Sequence, residues 1–177
     1  MPRALNADAA SGLLGMCPNS GGQREIRELL EWIKGMGTGQ AAGATLTLTR
    51  AAHHLETIYL DTAAGSVVTL PAATGSGTRF RFIVTVAPTS NFHQVKVVGT
   101  DVLAGSVNLL DNDSTAQTAY AATGTDDNIQ LNGSTKGGQI GDWLEIEDVK
   151  AGVWAIRGQL ICAAGSNIAD PFSAAVS

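Results

Sequence analysis

Charge is scarce in this chain. Of its 177 residues, 15% are charged and 5% aromatic, against roughly 25% charged in an ordinary soluble domain. Alanine, glycine and threonine fill the gap, which describes a neutral, smooth surface rather than the strongly charged, weakly apolar composition of a disordered chain. The remaining charge leans acidic, with a net −5. Proteins that hold nucleic acid set lysine and arginine against phosphates. No basic stripe exists here for that purpose, and Arg79 and Arg81 stand at strand spacing, on one face of a sheet. Nucleic acid is therefore not an expected partner. Cysteine is limited to Cys17 and Cys162, which are far apart and in no metal or redox spacing. They read as small buried hydrophobes. No apolar run approaches the roughly 18 residues of a membrane helix, and MPRALNADAASGLLGM lacks the continuous apolar stretch of a secretory signal. The expectation is a chain made in a reducing cytoplasm, with no membrane partner.

What is present divides into three parts. Residues 1–43 hold an arm of small and polar residues, an amphipathic helix and a glycine-rich hinge. The helix spans 20–36: Ser20 and Gln23 make a capping-box pattern, and Ile26, Leu29, Leu30, Ile33 and Met36 recur at spacings of three and four. A helix this short is marginal alone in water, so its stripe needs cover, from its own sheet or from sister subunits. Ile26, Leu29, Leu30 and Ile33 are accordingly candidate oligomer or docking interface residues, and Ile26→Asp or Leu30→Asp is expected to abolish assembly or docking by burying a charge. Gly35, Gly37 and Gly39 end the helix.

From residue 44 to 165 the apolar period changes to two. RFRFIVTV (79–86) puts Phe80, Phe82, Val84 and Val86 on one face. WLEIEDV (143–149) puts Leu144 and Ile146 inward with Glu145 and Glu147 outward. VWAIRGQLIC (153–162) aligns Trp154, Ile156, Leu160 and Cys162. Shorter runs at 46–48, 55–60, 66–70, 94–98, 102–110, 116–120 and 128–131 are separated by turn residues at the spacing of a sandwich or barrel. No helix lies among them to carry a parallel crossover, so the prediction is a mainly β domain, an antiparallel β-sandwich or β-barrel-like fold with a short N-terminal arm and one α-helix. Residues 166–177 read as a terminal extension.

Candidate chemistry is thin. His53 and His54, adjacent on a strand, point to opposite faces and do not chelate one ion together; His93 is the remaining histidine. Asp111–Ser114 and Thr125–Asn128 offer oxygen ligands but lack the distal glutamate of a calcium loop, and they read as turns. Gly75-Ser76-Gly77 joins two strands, whereas a phosphate cradle opens a helix. No G-x-S-x-G elbow occurs, and Glu145 and Glu147 share one strand face instead of flanking a bond. Neither a catalytic residue, a cofactor nor a metal is expected. Trp143 falls opposite Leu144 in the alternation and is either an interface residue, where tryptophan is favoured, or part of a second buried face.

Residues 66–86, SVVTLPAATGSGTRFRFIVTV, resemble a pattern of tailed-bacteriophage virion proteins: an extended run, then TLPAATGSG, then an F-x-F strand. QVKVVGTDVLAG, NIQLNGSTKGGQIGDWLEIEDV and VWAIRGQL continue it to about residue 162. The resemblance is to capsid decoration (cement) proteins and to head or tail fibre modules. It implies a non-enzymatic β module on the outer surface of the virion, a homotrimer whose partners are itself and the major capsid protein. The same resemblance leaves a receptor-binding fibre module as the alternative.

Overall fold

The computed structural model describes residues 39–163, 165 and 167–174. The arm and the predicted helix with Ile26, Leu29, Leu30 and Ile33 lie outside the described residues. Twelve strands and one short helix make up the rest: β1 (Gln40–Ala41), β2 (Thr45–Thr47), α1 (Arg50–His53), β3 (Thr57–Leu60), β4 (Val67–Thr69), β5 (Arg79–Val84), β6 (His93–Lys96), β7 (Val102–Asp111), β8 (Gln117–Ala121), β9 (Asn128–Leu131), β10 (Trp143–Lys150), β11 (Val153–Cys162) and β12 (Phe172–Ser173).

These strands form two open sheets, a seven-stranded one ordered β1-β3-β5-β10-β11-β7-β8 and a five-stranded one ordered β12-β9-β6-β4-β2. The mainly β, sandwich-like prediction holds, and neither sheet closes into a barrel. The expectation of antiparallel pairing needs correction, because both sheets are mixed. β1, β3 and β5 run parallel, as do β2, β4 and β6, and β7 pairs parallel with β11. The physical reason lies in the path of the chain. From β1 to β7 each successive strand belongs to the other sheet. A strand of one sheet is thus the connection between two parallel neighbours of the other, and no crossover helix is required.

One hydrophobic core fills the space between the sheets. Phe80, Phe82 and Val84 of β5, Leu144 and Ile146 of β10, and Trp154, Ile156 and Leu160 of β11 point into it as their period-two alternation requires. Val68, Val95, Ile129 and Leu131 answer from the second sheet. The Trp154 and Phe80 rings meet at 5.7 Å between centroids, tilted by 35°. Each large side chain buried here contributes roughly 1.5–3 kcal/mol.

Both expected boundaries shift outward. The hinge contributes β1, whose Gln40 pairs with Ile58, and the supposed C-terminal extension contributes β12, whose Phe172 is buried against β9. The histidine pair is also placed differently. Thr49 caps α1 by accepting the Ala52 N–H on its side chain, which puts His53 in the last position of α1, buried, and leaves His54 exposed behind it.

Candidate interaction surface on the seven-stranded sheet

Several ionisable groups that resemble reactive ones are spent on holding loops. Asp148, near the end of β10, has a side chain with 0% exposure. Its carboxylate accepts the backbone N–H of Thr74, Gly75 and Ser76 at 2.6–3.1 Å and the Ser76 hydroxyl at 2.7 Å. Arg50 Nη2 completes the shell at 2.9 Å and also donates to the Ala72 carbonyl. Burial works against the charge, but the hydrogen bonds from Ser76 and Arg50 and from the Gly75 and Ser76 amides outweigh it and hold this carboxyl well below the usual range. Here lies the role of the TLPAATGSG run. Gly75, at φ 77°, turns the chain so that consecutive N–H groups converge on one anion. The glycine-rich loop does cradle an anion, and that anion is the protein's own Asp148.

Asp142 works similarly in the loop before β10. It accepts from the amides of Gly138 (2.7 Å), Gln139 (3.1 Å) and Ile161 (2.9 Å), tying that loop to β11. Burial dominates over these bonds and pushes its pKa up to about 6. His93 is buried at the start of β6. Its Nδ1 accepts the Ser66 N–H at 3.0 Å and its Nε2 donates to the Val86 carbonyl at 2.7 Å, and burial lowers its pKa so that it stays neutral. His53 Nδ1 accepts the Thr49 N–H. No group of three or more histidine, cysteine or acidic residues gathers at metal-binding distance among the described residues. The two acidic loops behave as turns: Asp111 accepts from Asp113 N–H and Ser114 Oγ, and Asp126 accepts from Thr123 N–H and Oγ. Cys162 is a buried free thiol that donates to the Thr135 carbonyl.

The outer face of the seven-stranded sheet is where side chains remain available. Cross-strand register sets Tyr59, Ile83, Trp143 and Gln159 in one row, and Thr57, Arg81, Glu145 and Arg157 in the next. Arg157 pairs with Glu145 at 2.6 Å and Arg79 with Glu147 at 3.0 Å. These exposed pairs are worth only about 0–1 kcal/mol each, so they decorate the face more than they stabilise it. Hydrogen bonding from Arg157 keeps Glu145 ionised to lower pH than usual. Arg81 makes no carboxylate ion pair among the described residues; its guanidinium carbon sits 5.9 Å from the centroid of Trp143. Leu55 (59% exposed, φ 63°) and Val149 (50% exposed) add apolar surface.

Trp143 is therefore half-buried on the outer face and does not enter a second core. Sequence reasoning put Arg79 with Arg81 on one face of their strand and Glu145 with Glu147 on one face of theirs, but nothing in it joined the two pairs or aligned Tyr59 and Ile83 with Trp143, since both depend on register between strands far apart in the chain. The result is one sheet face bearing tryptophan, tyrosine and arginine together, the residue types that dominate binding energy at protein interfaces. Small depressions lie on it. One is lined by Leu55, Glu56, Arg79, Arg81 and Glu145 and brings no nucleophile to a base. Comparison with protein-family models, curated proteins and solved structures gives no match to this chain.

Proposed function

We propose that this chain is a structural virion protein, a capsid decoration or cement protein that binds the outer surface of a tailed-phage head as an oligomer and strengthens contacts between capsomers. Its partners in this reading are other copies of itself, as a homotrimer, and the major capsid protein; nucleic acid and membranes play no part, and no reaction is catalysed. The observation that carries the reading is the use the β module makes of its polar groups. Asp148, Asp142 and His93 are consumed in fastening loops, while the side chains left outward form a Trp143–Tyr59–Arg81 face with paired charges beside it. A weakly charged module with its loops fastened suits adhesion to a large surface, where several modest contacts held in one oligomer add through effective concentration. The likeness of residues 66–162 to virion modules supports the same reading.

The test uses purified heads that lack the protein. Added full-length chain is expected to bind them at a saturating, symmetric stoichiometry and to raise their resistance to heat. Heads that take up none of it would remove the proposal. A second reading, a fibre or receptor-binding module, is favoured by the partly exposed Trp143 ring with Arg81 beside it, an arrangement also suited to a host surface ligand. Binding to host cells that is lost in Trp143→Ala, with no uptake by heads, would select it.

A further inference from the structure

Two open sheets have four edges, and the chain treats them unequally. β1 and β12 are two residues long and β2 is three. Short strands are one of the ways proteins keep a sheet edge from pairing with another chain. The fourth edge, β8, runs five residues as Gln117-Thr118-Ala119-Tyr120-Ala121. It carries no charge, no proline and no bulge in its register with β7. All of its residues except Tyr120 are exposed, and Tyr120 is anchored from beneath by its hydroxyl, which donates to the Ile168 carbonyl at 3.2 Å. The usual protections of an edge are thus missing from the one edge long enough to need them.

Hydrogen bonding decides which groups are free. The Ala122 N–H donates to the Gly105 carbonyl and the Asp111 N–H to the Ala116 carbonyl. In an antiparallel ladder, hydrogen-bonded and non-hydrogen-bonded pairs alternate. Residues 116, 118, 120 and 122 therefore face β7, and the N–H and C=O groups of Gln117, Ala119 and Ala121 point away from the sheet. Among the described residues, none supplies a backbone partner to these groups.

We propose that β8 is the seam through which two copies of this chain join, antiparallel about a two-fold axis at Ala119, so that two seven-stranded sheets become one. The second copy is the occupant because the edge is self-complementary. The register that pairs every outward-facing residue sets Gln117 against Ala121, Ala119 against Ala119 and Ala121 against Gln117, with no charge facing a like charge and a small residue, Ala119, on the axis. A C2 contact needs this kind of self-match. The seam is distinct from the three-fold association proposed above; trimers carrying it would be linked in pairs.

The experiment uses the full chain. Ala119→Pro removes an N–H that the protein's own sheet does not use, so the variant is expected to keep the wild-type circular dichroism and melting temperature while its sedimentation mass falls to half. In a Cys17→Ser background, Ala119→Cys is expected to cross-link copies under mild oxidant, since paired Cα atoms in such a ladder lie about 5.5 Å apart, within disulfide reach. Thr118→Cys, one residue off the axis and turned toward the other face, is expected to cross-link far more slowly. Unchanged mass in a folded Ala119→Pro, or cross-linking of Ala119→Cys no faster than that of Thr118→Cys, overturns the symmetric seam. The second outcome combined with a halved mass would assign the edge to a different segment or partner.

Discussion

At the scale of single residues, two buried carboxylates with opposite titration behaviour make the most specific claims. Asp148 has its pKa held below the ordinary value, so its contribution is complete above the unfolded carboxyl pKa, near 4, and is lost as pH falls below it. Asp148→Asn removes the charge that Arg50 meets and turns an amide donor toward amide donors. It is expected to cost about 2–4 kcal/mol near neutral pH, with the deficit shrinking below pH 4 in urea titrations. Asp142, raised to about 6, has the reverse sign. Its protonated form is the one folding favours, so its contribution is fullest below pH 4 and declines as pH rises through 6. The decline is on the order of 2–3 kcal/mol by linkage. Comparing the wild type with Asp142→Asn across pH 4–7.5 isolates it: the variant is expected to lose less stability over that interval than the wild type. A parallel pH dependence in both proteins would refute the assignment to Asp142.

At the scale of elements, the strands and the faces they present follow from alternation, whereas irregularities do not. β7 pairs with β11 without a break from Val102 to Asp111, yet between the buried Leu103 and Val107 stands an exposed glycine, Gly105. Gly105 takes φ 121°, and a Cβ there would lie 2.2 Å from the Ile156 carbonyl oxygen. Gly105→Ala thus combines a disfavoured backbone with a backbone clash and is expected to lower stability by roughly 2–4 kcal/mol, measured by thermal or denaturant unfolding. A near-neutral result would mean that β7 and β11 separate there without penalty. The loop 72–77 makes a related point. As sequence it signalled a turn between two strands, which it is; that its amides close on Asp148, a residue distant in the chain, depends on β10 being inserted beside β5.

For the molecule as a whole, the alternation of β1 to β7 between sheets means that few strands pair with their neighbour in sequence. Most native pairings are long-range, and the entropy of closing those loops precedes any gain from them. Refolding of the β module, followed through the buried Trp154, is accordingly expected in the millisecond-to-second range or slower. Microsecond folding would show that the two local hairpins, β7–β8 and β10–β11, suffice to set the rate, although the five-stranded sheet contains no pair of sequential strands. The face around Trp143 and the open edge at β8 also belong to this scale, because each is a property of assembled sheets.

Strand positions, their inward and outward faces, the mainly β class and the turn character of both acidic loops were legible in the chain, because period-two burial and turn chemistry act over a few neighbouring residues. Parallel against antiparallel pairing, the row that joins Tyr59 and Ile83 to Trp143, the binding of the TLPAATGSG loop to Asp148 and the unprotected edge at β8 were decided by the tertiary structure. They depend on which distant strands come to lie side by side, and local patterning carries no record of that.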